Sequence, residues 1–112
     1  MTDEAVRSQG NTPIACTLSG PQQARRRQEV AAEVFRVARR PGEIEDGYEF
    51  TFPGSAECAD QLTRFVVFER ACCPFFTFEI VFEPGAGPIV LKIRGPEGVK
   101  EIIEELAGLR PN

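Results

Sequence analysis

Hydrophobic and polar residues alternate along four short segments of the chain, and this period of two predicts β-strands. The alternating segments are 13–18, 48–52, 76–82 and 89–93. Three other segments have helix start signals or apolar residues at helical spacing. The first two predicted helices cover 19–40 and 55–73, and the third begins at Pro96 and includes Leu106. The predicted order of elements is therefore βαβαββα.

Proline, glycine and serine mark the boundaries between these elements. Pro41-Gly42 stops the first predicted helix, Ser55 is placed to cap the second, and Pro74 follows its end. The glycine- and proline-rich run 83–88 predicts a hairpin between the third and fourth strands. These boundaries keep consecutive elements close together in space.

The pattern as a whole predicts an α+β fold. We expect a two-layer sandwich with a mostly antiparallel sheet and helices on one face, loosely ferredoxin-like in its pieces. Residues 1–12 are polar and aperiodic, which is typical of a flexible tail. The sequence therefore predicts an N-terminal tail over 1–12 and a single α+β domain over 13–109.

Composition narrows the functional classes. The 112 residues have a formal net charge of -4, which disfavours a nucleic-acid binder. No segment approaches the ~18 consecutive apolar residues of a membrane helix, and the polar start lacks a signal peptide, so we predict a cytoplasmic protein with no membrane partner. The chain is compatible with a homo-oligomer, and no motif implies an organic cofactor. In a reducing compartment, four cysteines indicate thiols, metal ligands or redox groups.

A glutamate interrupts the apolar stripe of the second predicted helix. A helical wheel places Glu69 near the centre of this stripe, whose other members are Cys58, Leu62, Phe65, Val66 and Cys73. A carboxylate in a core costs several kcal/mol unless it is paired, protonated or bound to a cation. Two interpretations remain open. Glu69 either contacts Cys73 one turn away, or lies outside the core and pairs with Arg64, Arg70 or an arginine of the first helix.

The adjacent residues Cys72 and Cys73 are the main chemical feature of the sequence. A disulfide between neighbours strains the intervening peptide bond. A nucleophilic thiolate is disfavoured at a helix C-terminus, where the partial negative charge raises a thiol pKa. A soft metal ion brings its own positive charge and displaces the thiol protons. Metal or metalloid binding is therefore the leading hypothesis, and plain packing against Phe75 and Phe76 is the structural alternative.

A third thiol is needed for a closed soft-metal site. Cys58 lies 14 to 15 residues before the pair on the same helix, roughly 21 Å away at ~1.5 Å per residue. Cys16, predicted to point inward from the first strand, remains as the candidate. Cys16, Cys72 and Cys73 would suit Hg(II), Cu(I) or As(III) better than zinc, with Glu69 as a fourth ligand or proton acceptor.

Two other classes of function stay open. One is a thiol-dependent lyase or redox enzyme in which Cys73 is the nucleophile and Glu69 the proton relay, since the chain has no histidine. The other is a non-catalytic module that binds a small ligand or partner in a pocket lined by phenylalanines.

The first-helix arginines, including Arg25, Arg27 and Arg36, are predicted to form a solvated face.

The cysteine pair lies within a longer motif that resembles a known group of proteins. The run ERACCPFF at 69–76, with ACTL at 15–18 and RGPEGV at 94–99, is similar to small bacterial ERxCCPF-type proteins of unassigned activity. That group is associated with heavy-metal (mercury and arsenic) resistance neighbourhoods, and the likeness spans residues 13–107. The resemblance implies a cellular setting and supports Cys16, Cys72 and Cys73 as one thiol site. Cys58 does not match the pattern.

Overall fold

The computed structural model describes residues 20–109 and confirms the predicted α+β fold. Its helices are α1 (Pro21–Phe35), α2 (Ala56–Cys72) and α3 (Val99–Ala107). Its strands are β1 (Arg39–Ile44), β2 (Gly47–Phe52), β3 (Thr77–Phe82) and β4 (Ile89–Arg94). The predicted first strand, 13–18, lies outside the described residues. Within 20–109, none of the helices is long and apolar enough to cross a membrane.

The four described strands form one sheet in the order β1-β2-β4-β3, and every neighbouring pair is antiparallel. Leu91 in the centre pairs with Phe50 on one side and with Ile80 on the other. Because alternate side chains share a face, this register places the apolar rows of β2, β3 and β4 on one side. The helices pack on that side, as predicted, and the core lies between the two layers.

The first helix is shorter than predicted, and β1 takes its place in the sequence. Helix α1 ends at Phe35 rather than near Arg40, and Arg39–Ile44 pairs with β2. Pro41 is compatible with a strand here because β1 is at the edge of the described sheet and its register shifts between Arg39 and Gly42. The two-residue loop between β1 and β2 is Glu45-Asp46, and Gly47 already pairs with Ile44, so the Asp-Gly dipeptide does not occupy the loop position at which it predicts a hairpin.

Helices α1 and α2 run antiparallel, which positions the functional site. Near the end of α2, Glu69 contacts Arg27 in the second turn of α1. Near the start of α2, Asp60 and Gln61 line the same surface cavity as Val34, close to the end of α1. The N-terminal end of α1 therefore lies beside the C-terminal end of α2, where the cysteine pair is found.

Candidate metal centre

The glutamate predicted to interrupt the core stripe of α2 is fully buried. Glu69 has 0% of its surface exposed, and Cys72 and Cys73 have 2% and 1%. The other buried residues of α2 are Cys58, Leu62 and Phe65, while Val66 is half-buried against the core. Ser55 caps the helix through a hydrogen bond accepted from the backbone N–H of Cys58, as predicted. The helix therefore carries one acidic group and two thiols into the apolar layer at its C-terminal end.

Three potential metal ligands come together at this end of α2. The Cys72 Sγ lies 3.7 Å from Glu69 Oε1 and 3.5 Å from the Cys73 Sγ. One ligand atom from each of the three residues lies within 4.8 Å of the others. The backbone fixes the arrangement, since the N–H of Cys73 donates a 2.7 Å hydrogen bond to the carbonyl of Glu69 and closes the helix. Cysteines 58, 72 and 73 are all thiols rather than disulfides.

Glu69 has a charged partner on the neighbouring helix. The Nε of Arg27 donates to both carboxylate oxygens of Glu69 at 3.2 Å. Arg27 is 19% exposed, so it departs from the solvated face predicted for the first-helix arginines. Sequence spacing could have identified it, because Arg27 lies four and seven residues before the buried Ala31 and Val34. Both interpretations of Glu69 thus hold in part: it lies in the core and pairs with α1.

The Arg27 guanidinium has a hydrogen-bond donor that the ion pair with Glu69 does not use. Its Nη2 is buried, and among residues 20–109 it has no hydrogen-bond partner. A buried unsatisfied donor costs about 1–3 kcal/mol, more when the group is charged. Burial acts to lower the pKa of Arg27, but Glu69, Cys73 and Cys72 raise it, and the net shift is upward. Arg27 is therefore a fixed positive charge that favours negative charge on the neighbouring sulfurs.

Burial controls the protonation of the acidic groups. It raises the pKa of Glu69, and Arg27 opposes this shift without cancelling it, because a single N–H serves both oxygens instead of two parallel bonds. Burial also raises the pKa of Cys73, again against the influence of Arg27. Cys73 is consequently a protonated thiol at neutral pH, and a metal ion that binds its sulfur would displace the proton to solvent.

The spacing of the two sulfurs fits a bent dithiolate complex. With a metal–sulfur bond of ~2.3 Å, sulfurs 3.5 Å apart subtend an angle of about 100° at the ion. This angle is compatible with pyramidal or tetrahedral coordination, whereas a linear complex needs sulfurs about 4.6 Å apart. The donor set of two thiols and one carboxylate therefore suits a soft ion.

The remaining cysteines lie elsewhere. Cys58 is buried in the first turn of α2, about 21 Å from Cys72 by helical rise, and does not belong to the site. Cys16 lies outside the described residues, so its proposed role as a ligand stays a prediction.

Arg27 belongs both to the site and to a surface cavity. Its side chain lines a cavity of about 550 Å³ between α1 and α3, together with Phe35, Ile102 and Leu106. The same side chain contacts the fully buried carboxylate of Glu69.

Comparisons with models of known protein families, with curated proteins and with solved structures found no match to this chain.

Proposed function

We propose that this protein binds a soft metal ion or metalloid through Cys72 and Cys73, with Glu69 in or beside the coordination sphere. The observation that carries the proposal is the convergence of two buried thiols and a buried carboxylate within 4.8 Å. Thiolate sulfur selects soft ions, and the candidates are Hg(II), Cu(I) and As(III).

The protonation state of the site supports metal binding over nucleophilic catalysis. A thiol must lose its proton before it can attack as a nucleophile. Burial opposes this ionisation because it raises the pKa of Cys73. A metal ion removes this obstacle because it displaces the protons as it binds. The enzyme hypothesis, with Cys73 as nucleophile and Glu69 as proton relay, stays a prediction whose test is turnover of a substrate.

We propose Cys16 as the third sulfur ligand, on the basis of chain reach. Arg27 and Glu69 are in contact and therefore lie at the same height along the two packed helices. The cysteine pair follows Glu69 by three to four residues, which is about 5–6 Å along the axis of α2. Because α1 runs in the opposite direction, the pair is level with residues 23–24, only a few residues from Gly20. Cys16 precedes Gly20 by four residues, which span at most about 14 Å when extended. The chain is thus long enough to bring Cys16 to the site.

Native mass spectrometry of the reduced protein with limiting Hg(II), Cu(I), Zn(II) or arsenite tests the binding proposal. We expect one ion per chain, with binding lost in Cys72→Ser and Cys73→Ser and weakened in Cys16→Ser. The matched control is Cys58→Ser, which removes a buried thiol from the same helix and should leave binding intact. Equal loss in Cys58→Ser and Cys72→Ser would overturn the assignment.

The same experiment separates binding from packing. If the cysteine pair only fills space, the wild-type protein will take up no ion, and Cys72→Ala and Cys73→Ala will only lower stability, because each leaves a small cavity in the core.

We further propose that the cellular role is resistance to heavy metals, in line with the resemblance of the 69–76 motif. A bacterium that expresses the wild-type protein should then tolerate more mercury or arsenite than one that expresses Cys72→Ser.

A further inference from the structure

Before any ion binds, the charges of the ionisable groups at the metal centre sum to zero. Arg27 contributes one positive charge and Glu69 one negative charge, with their atoms 3.2 Å apart. The thiols of Cys72 and Cys73 add no charge while they keep their protons. Glu69 has no exposed surface, and Cys72 and Cys73 have almost none. An excess charge created here would therefore be poorly screened by water and unfavourable.

The charge of the loaded site depends on the ion. A divalent ion replaces two thiol protons, which leave to solvent as two S–H bonds break and two metal–sulfur bonds form, so the dithiolate complex is neutral. Arsenite, As(OH)₃, reacts with two thiols to give a neutral hydroxo-dithiolate and two water molecules. Cu(I) on the same two thiolates leaves one negative charge. The Arg27–Glu69 pair adds zero in every case, whether or not Glu69 coordinates the ion. A third thiolate from Cys16 would add one negative charge to the Hg(II) and Cu(I) complexes alike and would replace the hydroxide on As(III), so the Cu(I) complex keeps one more negative charge than the Hg(II) complex.

We infer that the Arg27–Glu69 ion pair makes this site selective for ions that form a neutral dithiolate, such as Hg(II) and As(III), over monovalent Cu(I). This inference rests on the proposed function and narrows the class of ligand. Softness alone does not separate these ions, because thiolates bind all of them. The buried charge does separate them, since Cu(I) leaves the enclosed site with one more negative charge than Hg(II) on the same thiolates.

Charge-changing variants of the pair test this inference through the ratio of the Cu(I) and Hg(II) dissociation constants. Glu69→Gln keeps the shape of the side chain but leaves the positive charge of Arg27 without its negative partner. The single negative charge of the Cu(I) dithiolate then balances Arg27, and the site with Cu(I) bound has no net charge. We expect the ratio to fall by at least about tenfold. The double variant Arg27→Gln/Glu69→Gln is neutral again and should return to the wild-type ratio.

Arg27→Gln should shift the ratio of the Cu(I) and Hg(II) dissociation constants in the opposite direction. With Glu69 left as the only charge, the Cu(I) complex gives the site two negative charges, and the ratio should rise above the wild-type value. This variant and the double variant keep the test decisive if Glu69→Gln does not fold. Asp60→Asn is the matched control, because it removes a carboxylate from the same helix whose side chain is 61% exposed and pairs with Arg64.

The ratios are measured anaerobically by competition with chelators of known affinity, with Hg(II) and Cu(I) as the probes. A fall in Glu69→Gln, recovery in the double variant and a rise in Arg27→Gln would support the inference. Ratios equal to that of Asp60→Asn in all three variants would overturn it, while the proposed function would stand. Ion binding that does not need Cys72 and Cys73 would overturn the proposed function itself.

Discussion

The two ends of helix α2 carry similar residues in different settings. At its start, the buried Cys58 lies beside the Ser55 cap, and the nearby Asp60–Arg64 ion pair is on the surface. At its end, the buried pair of cysteines at 72 and 73 contacts an ion pair whose carboxylate is fully buried and whose arginine is 19% exposed. Both ends offer thiols and opposite charges, but only the second end places them together.

The difference arises from the neighbouring helix rather than from α2 itself. Asp60 pairs with Arg64 one turn along the same helix, and such i,i+4 pairs face solvent and contribute little. Glu69 pairs with Arg27, which is 42 residues away in sequence. A buried charge needs a partner from another element, because side chains on the same stripe of one helix are mostly apolar. Tertiary packing thus turns one end of α2 into a candidate metal centre.

The largest difference between the two ends should be in stability. Arg27→Gln should lower the free energy of unfolding by about 3–5 kcal/mol, because it leaves Glu69 buried without its charged partner. Arg64→Gln should lower it by less than about 1 kcal/mol, because that pair is exposed to water. Urea unfolding of the two variants and the wild type measures both values. Similar losses in the two variants would contradict the assignment of Arg27 as a buried structural charge.

Ion binding should stabilise the C-terminal end of α2 and not depend on the start of the helix. With Hg(II) free at 100 times its dissociation constant, the folded protein should gain about 2.7 kcal/mol, visible as a rise in the thermal unfolding midpoint. Cys58→Ser should show the same gain. Cys73→Ser should show little or none, and a full gain in this variant would exclude Cys73 as a ligand.

The pH dependence of stability should distinguish Glu69 from Asp60. Burial raises the folded-state pKa of Glu69 above the ordinary value of 4.5, so the native state binds this proton more tightly than the unfolded state. As the pH rises from 4.5 through the folded-state pKa, Glu69 should therefore lower the free energy of unfolding, by at most about 1.4 kcal/mol per pH unit.

Unfolding of wild type and Glu69→Gln across this pH range measures that contribution. The stability of the wild type relative to Glu69→Gln should decrease as the pH rises. An increase would mean that Arg27 outweighs burial and holds the folded-state pKa of Glu69 below 4.5. Asp60→Asn serves as the control for the loss of an exposed carboxylate at the other end of the helix.

The smallest expected effect comes from the cap at the start of α2. Ser55→Ala should destabilise the protein by about 1 kcal/mol, because the backbone N–H of Cys58 loses its acceptor. Hg(II) affinity should stay at the wild-type value, since the site is about 21 Å away by helical rise. Equilibrium unfolding and Hg(II) competition on the same sample check both parts, and a large loss of affinity would show that the two ends are coupled.

Local patterns in the sequence determined most of the fold. Alternation in 76–82 and 89–93, with the turn at 83–88, gave the β3–β4 hairpin, because a period of two and a glycine-rich turn are local features. Ser55 and Pro74 marked the ends of α2 for the same reason. Helical periodicity placed Glu69 on the apolar stripe of α2 but left open whether it lies inside the core, and the structure shows that it is fully buried. The edge strand β1 was missed because Pro41-Gly42 also stops a helix, and only pairing with β2 shows that a strand begins there.

Only the tertiary structure decided which groups surround the cysteine pair. The sequence placed Glu69 one turn from Cys73, since both lie on one helix with a fixed rise and rotation. It offered several arginines as partners for that carboxylate, and the antiparallel packing of α1 against α2 selected Arg27. Local periodicity shows which side of a helix is buried, but the partner of a buried charge depends on how two helices pack. That packing brings residues 42 positions apart into contact, a separation that no local pattern reports.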